Sequence, residues 1–479
     1  MDLSNSSIKR VVDSFSRVEL GDPRRERRLR SVVSKLARAP SGSLPSALET
    51  DAEVQGAYRL ANNRQVSFEA LLESQKEQTR ELAVQARNVL VLHDTTQATF
   101  AHLDPAEIGF LQTGKAGFFI HLGLVVDLAE WRRPLGIIHA ETIHRKRRSK
   151  GFSRKSSGSE TAKWKDRESA RWQRGMLEAS SSLESCERVV HVADREGDNY
   201  ALLGSLVAEG ARFVIRLSKQ RRGRIPGESQ DWSKVKEIAS TADGLLEREV
   251  PLSRRKAKNT PRMTGAHPPR KGRLATLRFS ATRVEIPRPR YLKDPVPESL
   301  VLNVVRVLEV NPPDGESPVE WLLYTTEPID TVEQVVEIVD IYRTRWLLEE
   351  FNSALKTGTS YEARQFESKH ALLNMLAMSL PIACEILWLR SRARTAPDAP
   401  ATDVLTVRQL RVLDVLGNKK LPRNPTAQDA LAAVAAMGGH LKRNGPAGWK
   451  VLMRGMSKLI DYETAWAAAE AVNIGSPDL

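Results

Sequence analysis

Two short apolar runs, each leading to an aspartate, constrain the fold of this chain more than any other feature. The run from Val89 to Leu92 precedes Asp94, and the run from Val189 to Ala193 precedes Asp194. Apolar runs of this length predict buried β-strands. An aspartate at the end of a strand is often only a turn or helix-cap residue. The two aspartates therefore gain functional weight only from the segments that surround them.

The elements around these two runs follow the order expected for a mixed sheet. A helical pattern leads into the strand before Asp94, and two more strand candidates, GFFIHLGLVVDL and PLGIIHAETI, follow it. A helix at about 163–183, the strand before Asp194, a helix at 199–209 and the strand RFVIRLS complete a β-β-β-α-β-α-β order. This order predicts an α/β fold with a ribonuclease-H-like mixed sheet core, whose first and fourth strands lie side by side. Asp94 and Asp194 would then lie next to each other.

The segments outside this core differ from it in pattern. Short β-like runs broken by Pro-rich and basic loops predict an all-β insertion at about residues 220–330. The N- and C-terminal segments are helical in pattern. We therefore expect three domains: residues 1–70, residues 71–370 with the insertion, and residues 371–479.

A third segment, DIYRTRWLLEEFNSALKTG, carries Tyr342, Arg345, Glu349 and Lys356 at helical spacing. At about 100° per residue, these positions fall within an arc of roughly 60°, so a continuous helix would present all four on one face. Such a face is most often simply solvated. A carboxylate between two cations and a phenol also suits a metal ion and a phosphate. Together the three segments supply two aspartates and one glutamate.

The charge of the chain favours a polyanionic partner. The net charge is +14 and the pI is about 9.8. Residues 1–40 hold ten Lys or Arg against five Asp or Glu, and residues 141–175 hold twelve against four. Nucleic acid is the commonest partner of such a chain, although ribosomal and membrane-surface contacts have the same signature. Binding through such blocks should depend on salt.

The cysteines and the apolar segments indicate the cellular compartment of the protein. Two cysteines, Cys186 and Cys384, are too few for a disulfide framework and lack metal-site spacing. We find no pattern of a secretory signal and no run of about 18 apolar residues. The sequence therefore predicts a cytoplasmic protein without a membrane partner.

With both aspartates and the third segment on one chain, the sequence resembles DDE transposases of the insertion-sequence-four family and is similar to the transposase of transposon five. The family signature is Tyr, two residues, Arg, three residues, Glu, six residues, Lys, and it is intact here. The similarity also includes LGDPRRERRL, GAYRL, RFVIR and WLLYTTEP. It is weakest in the last hundred residues.

The resemblance implies a set of catalytic residues. Asp94, Asp194 and Glu349 would be the catalytic and metal-binding carboxylates, holding two Mg²⁺ ions per active site, with Mn²⁺ expected to substitute. Arg345 and Lys356 would neutralise the phosphate, and Tyr342 would donate a hydrogen bond to it.

The resemblance also implies DNA-binding residues. Trp321 and Trp346 are candidates to stack on a base that a DNA hairpin forces out of the helix, although packing is the commoner role of tryptophan. Arg216 would contact DNA near the active site. In the N-terminal helices, the family recognises the transposon end with a region that here contains Arg24, Arg25, Arg27, Arg28, Arg30, Tyr58 and Arg59. A basic helix of this kind is otherwise only a solvated face.

The function implied is cut-and-paste DNA transposition. Residues 1–70 would bind transposon ends, residues 71–370 would cut and join DNA through a hairpin intermediate, and residues 371–479 would form a homodimer across two ends. Double-stranded DNA, as transposon ends and as target, would be the partner, and the protein would be cytoplasmic and associated with the nucleoid. Two alternatives stay open: a catalytically silent DNA-binding regulator of transposition, and a structure-specific nuclease without strand transfer.

Overall fold

The computed structural model describes residues 6–129, 132–146, 168–228, 231–252, 254, 269–292, 295–441 and 446–474. Most of the basic stretch at 141–175 lies outside these residues. The chain forms two compact units. The first unit comprises Met1–Ser157, Glu178–Arg188 and Trp346–Leu479, and the second comprises Gly158–Leu177 and Val189–Arg345. Each unit combines segments that are distant in the sequence.

The α-helices in the described part of the chain are α1 Ser6–Asp13, α2 Pro23–Arg38, α3 Leu44–Ala47, α4 Asp51–Asn62, α5 Phe68–Ala86, α6 Pro105–Ile108, α7 Arg171–Ser182, α8 Tyr200–Ala208, α9 Val235–Thr241, α10 Val332–Thr344, α11 Trp346–Ser353, α12 Lys369–Thr395, α13 Val407–Leu416, α14 Ala427–Met437 and α15 Trp449–Ile474. Short 3₁₀ helices occupy Glu168–Ala170, Arg195–Gly197, Tyr361–Ala363 and Ala401–Asp403, and a π-helical turn occupies Ala354–Gly358.

The strands are β1 Asn88–Thr99, β2 Gly117–Asp127, β3 Pro134–Ile143, β4 Arg188–Ala193, β5 Arg212–Arg216, β6 Arg222–Gly223, β7 Ser233–Lys234, β8 Gly244–Leu252, β9 Arg273–Pro287, β10 Ser299–Val310 and β11 Glu320–Thr325.

In the first unit, β1, β2 and β3 form consecutive antiparallel pairs. Helix α5 packs against these strands. Its N-terminus is capped by the Ser67 side chain, which accepts a hydrogen bond from the Ala70 N–H, and it ends at Arg87 in a positive-φ conformation. The buried run Val89–Leu92 then lies beneath the helix in the apolar core. The strand predicted before Asp94 and the helix before that strand are confirmed.

The N-terminal helices of the first unit form because capping residues and apolar stripes coincide. Asp22 caps α2, with Pro23 at its first position, and Thr50 caps α4. Helix α2 buries Leu29 and Val33 on one face, so its arginines lie on the remaining faces. Helices α2 and α4 pack against each other.

Helix α12 is the central helix of the first unit. It packs against α4, α5 and β3. Its length and apolar character are sufficient to cross a membrane, but 72% of its most apolar window is buried inside the protein, as in the core helix of a folded domain. Helices α13, α14 and α15 follow it and share a core that includes Val412, Val434 and Leu459.

In the second unit, β4 and β5 are parallel, and β11 pairs with β5 in the antiparallel sense. Strands β10, β9 and β8 extend this mixed sheet in that order. The segment predicted as an all-β insertion continues the same sheet, and it also includes the short helix α9, so it is not all β. Trp172, Phe213 and Tyr324 belong to the core of this unit.

The structure has the predicted fold class. Apart from the four-residue helix α6, the strands and helices between Asn88 and Arg216 follow the order β-β-β-α-β-α-β. A large mixed sheet is present and both terminal segments are helical, as in a ribonuclease-H-like fold. The division into three domains stays a prediction, because the N-terminal helices, the C-terminal helices and β1–β3 belong to one compact unit.

Asp198 gives a test of what holds the second unit together. Its carboxylate is fully buried and accepts hydrogen bonds from Ser218 N–H at 2.7 Å, Lys219 N–H at 2.8 Å and the Arg221 guanidinium at 2.5 Å. Asp198→Ala should lower the free energy of unfolding by about 3–5 kcal/mol, because it leaves the largely buried Arg221 guanidinium and two backbone amides without this carboxylate as their acceptor. Denaturant titration measures this loss.

The matched control for this substitution is Asp243→Ala, which removes an exposed carboxylate. It should change the free energy of unfolding by less than about 0.5 kcal/mol. Equal effects of the two substitutions would contradict the role given to Asp198.

Glu178 gives a pH-dependent test in the first unit. A hydrogen bond with His139, at 2.8 Å, and a second one with Lys76 lower the pKa of Glu178 from its ordinary value of 4.5 to about 2. Because the pKa is lower in the folded protein, ionised Glu178 stabilises the fold above about pH 4.5, and this contribution disappears as the pH falls towards 2. The stability difference between the wild type and Glu178→Gln should therefore shrink as the pH is lowered.

Denaturant titrations at several pH values below 6 measure this trend. Glu184→Gln, which changes an exposed carboxylate on the same part of the chain, is the control and should show a much smaller pH-dependent difference. A difference for Glu178→Gln that stays constant down to the acid limit would be inconsistent with the lowered pKa.

Candidate functional site

Asp94 lies within a strand of the first unit and not at its end. Residues Val89–His93 are buried, and β1 continues beyond Asp94 to Thr99, so the predicted strand end at Asp94 is wrong. Asp94 Oδ1 accepts a hydrogen bond from the Thr95 N–H at 2.8 Å, which orients the carboxylate. The strand extends further than its apolar run because the next residues still pair with β2.

Lys356 is a cation of the first unit that lies within electrostatic reach of Asp94. Burial lowers the pKa of the Lys356 ammonium, and the carboxylates of Glu362 and Asp94 oppose this effect. Glu362 is itself fixed to the same strand, since its Oε1 accepts a hydrogen bond from the Thr99 N–H at 2.9 Å. Asp94, Lys356 and Glu362 thus form an electrostatically connected group.

The segment that carries the signature is not one continuous helix. Helix α10 ends at Thr344, Arg345 is its C-cap, and α11 begins at Trp346. Lys356 then lies in the π-helical turn, where each residue turns less about the axis than in an α-helix. The prediction of one continuous helix, which assumed the α-helical period throughout, is therefore wrong, and the shared face of the four side chains stays a prediction. π-Turns within helices are often found at functional sites.

Glu349 and Trp346 lie on α11. This helix packs against β1, the strand of Asp94. Glu349 is partly buried, while the Trp346 side chain is 51% exposed, which leaves its indole accessible. The structure thus places Glu349 on an element that contacts the strand of Asp94.

Asp194 follows β4 in the second unit. It is the N-cap of the 3₁₀ helix Arg195–Gly197, and its Oδ1 accepts a hydrogen bond from the Glu196 N–H at 2.8 Å. The common capping role of such an aspartate is therefore present. The same hydrogen bond orients the Asp194 carboxylate at the end of the buried strand β4.

Four predicted residues converge in the second unit. Tyr342 is almost fully buried, and its ring meets that of Trp321 edge to face at a centroid distance of 5.6 Å. The Arg216 guanidinium lies 5.9 Å from the Trp321 ring centroid, because β11 pairs with β5 beside it. Burial lowers the pKa of Arg216, Tyr342 opposes this effect, and the charges of Arg195 and Arg345 reinforce it.

This cluster concentrates positive charge around a phenol. Arg195 and Arg345 each repel the partly buried Arg216 electrostatically, and an anion with several oxygens, such as a phosphate, would relieve this repulsion. Arg195 was not among the sequence candidates. Its position directly after Asp194 is the signal that would have identified it.

The predicted N-terminal residues lie on two packed helices of the first unit. Arg24, Arg27, Arg28 and Arg59 are exposed, whereas Arg25, Arg30 and Tyr58 are partly buried. The Tyr58 ring packs on Phe366, with centroids 5.3 Å apart. Helix α2 therefore presents several arginines to solvent within its first two turns.

Two segments of the chain match known protein families. Residues 11–66 match the family Transposase DNA-binding, and residues 165–383 match the family Transposase DDE domain. The chain carries the DNA-binding and DDE domains of a transposase. The transposase DNA-binding match includes all seven N-terminal candidates, and the DDE match includes Asp194, Glu349 and the Arg216 cluster. Asp94 precedes the DDE match.

DDE transposase domains generally use divalent metal ions. Among the residues described in this transposase, no group of three or more His, Cys, Asp or Glu is arranged to hold a metal ion. The chemistry of the donors nevertheless fits such an ion, since Asp94, Asp194 and Glu349 offer the hard carboxylate oxygens that Mg²⁺ prefers. The backbone N–H bonds to Asp94 and Asp194 hold each carboxylate in a defined orientation.

Proposed function

We propose that this transposase performs cut-and-paste transposition as a member of the insertion-sequence-four family, near the transposase of transposon five. It would bind the inverted repeats at the transposon ends, cleave them through a DNA hairpin intermediate, and join the 3′ ends to target DNA. The convergence of Arg216, Trp321, Tyr342 and Arg345 in a chain with transposase DNA-binding and DDE domains is the observation that carries this proposal.

Asp94, Asp194 and Glu349 are proposed as the catalytic carboxylates. The element order around the two aspartates, the intact signature around Glu349 and the DDE match support this assignment. Two Mg²⁺ ions per active site, replaceable by Mn²⁺, would stabilise the attacking and leaving oxygens of the phosphodiester. The three carboxylates would hold and orient these ions.

The remaining signature residues would bind the phosphate. Lys356 is a partly buried ammonium that acts as a point charge, and Arg345 is a guanidinium that can donate two parallel hydrogen bonds. The Tyr342 hydroxyl would donate a further hydrogen bond. Because burial strips water from Lys356 and Arg216, an arriving phosphate would displace little solvent from them.

The two tryptophans would act on the hairpin. A tight DNA turn unstacks a base, and an aromatic ring provides a surface on which that base can stack. Trp321 is held by its contacts with Tyr342 and Arg216, so its ring is oriented in advance. Trp346, with half of its side chain exposed, would stabilise the same turn.

The proposed assembly is a homodimer on two DNA ends, formed through the C-terminal helices, in a cytoplasmic protein associated with the nucleoid. The exposed apolar residues Val407, Val415 and Tyr462 of those helices support an interface there. Target DNA would be the second duplex bound.

Glu349→Gln tests the proposed chemistry. It removes one negative charge with little change in size, and we expect cleavage of DNA carrying the flanking inverted repeats to fall by more than about 100-fold in Mg²⁺ while end binding persists. Gel analysis of hairpin-ended products measures cleavage, and a mobility shift measures binding. Glu367→Gln, an exposed carboxylate on the same part of the chain, is the matched control and should retain activity.

The outcomes of this assay separate the alternatives. End binding without cleavage by the wild type would move the chain to the class of regulators. Cleavage by the wild type without joining to target DNA would indicate a nuclease. Full activity of Glu349→Gln would show that Glu349 is not one of the catalytic carboxylates.

Arg27→Ala tests the N-terminal DNA surface. Arg27 is exposed on α2, and its side chain donates a long hydrogen bond, 3.4 Å, to the Pro23 carbonyl of its own helix. Loss of one phosphate contact should weaken end binding and reduce the slope of log K against log salt by about one. Fluorescence anisotropy at several salt concentrations measures both quantities.

Arg423→Ala is the control for charge, since it removes an exposed arginine outside the DNA-binding match. Its salt slope should equal that of the wild type. Equal changes of the salt slope in Arg27→Ala and Arg423→Ala would contradict the assignment of the N-terminal helices as the DNA-binding surface.

A further inference from the structure

One loop of the first unit contacts both the DNA-binding segment and the strand of Asp94. It comprises Thr359–Arg364 and is called the bridging loop below. It directly follows the π-helical turn that carries Lys356. Its six residues are largely buried or partly buried, with the exception of Ala363.

The first set of contacts connects the bridging loop to β1. Glu362 Oε1 accepts a hydrogen bond from the Thr99 N–H at 2.9 Å. The fully buried Tyr361 ring meets Phe100 edge to face at 5.6 Å, and its hydroxyl donates to the Leu372 carbonyl at 3.0 Å. Glu362 also acts electrostatically on Lys356. The loop is therefore fixed to the end of the strand that carries Asp94.

The second set of contacts connects the same loop to the turn between α2 and α3. The Arg364 guanidinium donates to the Gly42 carbonyl at 2.6 Å and to the Pro40 carbonyl at 3.2 Å. The Ser360 hydroxyl donates to the Ser41 carbonyl at 3.0 Å. Residues 40–42 lie inside the DNA-binding match at 11–66.

Arg364 acts through the shape of its guanidinium and not through an ion pair. Its side chain is buried, and within the described residues its hydrogen bonds all go to backbone carbonyls, including Thr359 at 3.0 Å. Burial lowers the pKa of Arg364 to about 10. The guanidinium bonds the carbonyls of Gly42 and Pro40 from two different nitrogens held in a fixed plane, whereas a lysine ammonium has one nitrogen and cannot reproduce that geometry.

Ser360 adds strain at the same place. Its φ is +52°, in the left-handed region that is unfavourable for a residue other than glycine. The surrounding contacts on both sides of the loop hold it there. A strained residue between two anchored segments is sensitive to movement of either one.

We propose that Arg364 is a positioning residue that couples end-DNA binding by the N-terminal helices to the position of β1 and Lys356, by way of the bridging loop. The catalytic consequence rests on the proposed transposase function, but the coupling itself is a property of the loop contacts. DNA that orders the turn at 40–42 would order residues 359–364 through the Arg364 and Ser360 bonds. Movement of this loop would displace Glu362 and the strand attached to it.

Hydrogen exchange followed by mass spectrometry tests the coupling without relying on activity. The probe is a duplex that carries the inverted repeat flanking the gene, added to the full chain. In the wild type, DNA should slow exchange at 11–66 and also at 359–364. In Arg364→Lys, DNA should slow exchange at 11–66 alone, because the charge is kept and the fork is lost.

Ser360→Gly is a second variant that protects the test against simple loss of folding. It removes the bond to Ser41 while relieving the positive-φ strain, so it should keep the stability of the wild type and still weaken the response at 359–364. Arg454→Lys is the matched control, since Arg454 is exposed and donates one long bond, 3.4 Å, to the Gly438 carbonyl. It should respond as the wild type does.

Two results would overturn the coupling: no DNA response at 359–364 in the wild type while 11–66 is protected, or a full response at 359–364 in both loop variants. In the cleavage assay the loop variants should bind ends normally and cut roughly 10- to 100-fold more slowly, the scale expected for a misplacement of about 1 Å. A wild type that shows the exchange response and cuts no DNA would disprove the proposed catalysis and leave the coupling intact.

Discussion

Desolvation of positive charge is the constraint on which the candidate site depends. In the first unit, Lys356 is partly buried beside β1, and in the second unit Arg216 is partly buried beneath Trp321 and Tyr342. Burial raises the free energy of a charged group. A buried cation therefore persists only where the surrounding structure holds it in place. Arg216 is the last residue of β5, and Lys356 lies in a π-helical turn followed by a loop that is hydrogen bonded to β1 through Glu362. A phosphate would relieve this cost, so the fold prepares the site for an anion.

The sequence predicted helices and strands correctly where one hydrophobic period, that of a helix or that of a buried strand, continues through the whole element. The buried runs before Asp94 and Asp194, the helical termini and the strand RFVIR are all present, because apolar strands and amphipathic helices follow from burial alone. The convergence of Trp321, Tyr342 and Arg216 could not be derived from spacing, since it depends on the pairing of β11 with β5 across more than a hundred residues. Family resemblance identified these residues, and the sheet register explains their contact.

Prediction from the sequence failed where the helical period changes and where a residue belongs to no recognisable motif. The break at Arg345 and the π-helical turn at Lys356 interrupt a pattern that an ideal α-helix would continue, and such interruptions are set by tertiary contacts. Arg364 belongs to no recognisable motif. Its importance comes from carbonyls more than three hundred residues away in sequence, and no local rule reports them.

The aspartates of the segment Asp194–Asp198 show why local sequence cannot assign function by itself. Both follow the same strand, yet Asp198 is fully buried and its carboxylate accepts hydrogen bonds from Arg221 and two backbone amides, whereas Asp194 accepts a turn hydrogen bond from the Glu196 N–H at the end of β4. A carboxylate that already satisfies a buried cation cannot exchange it for a metal ion without leaving that cation unpaired. Asp198 is therefore a structural residue, and of the two only Asp194 has the local geometry of a candidate ligand.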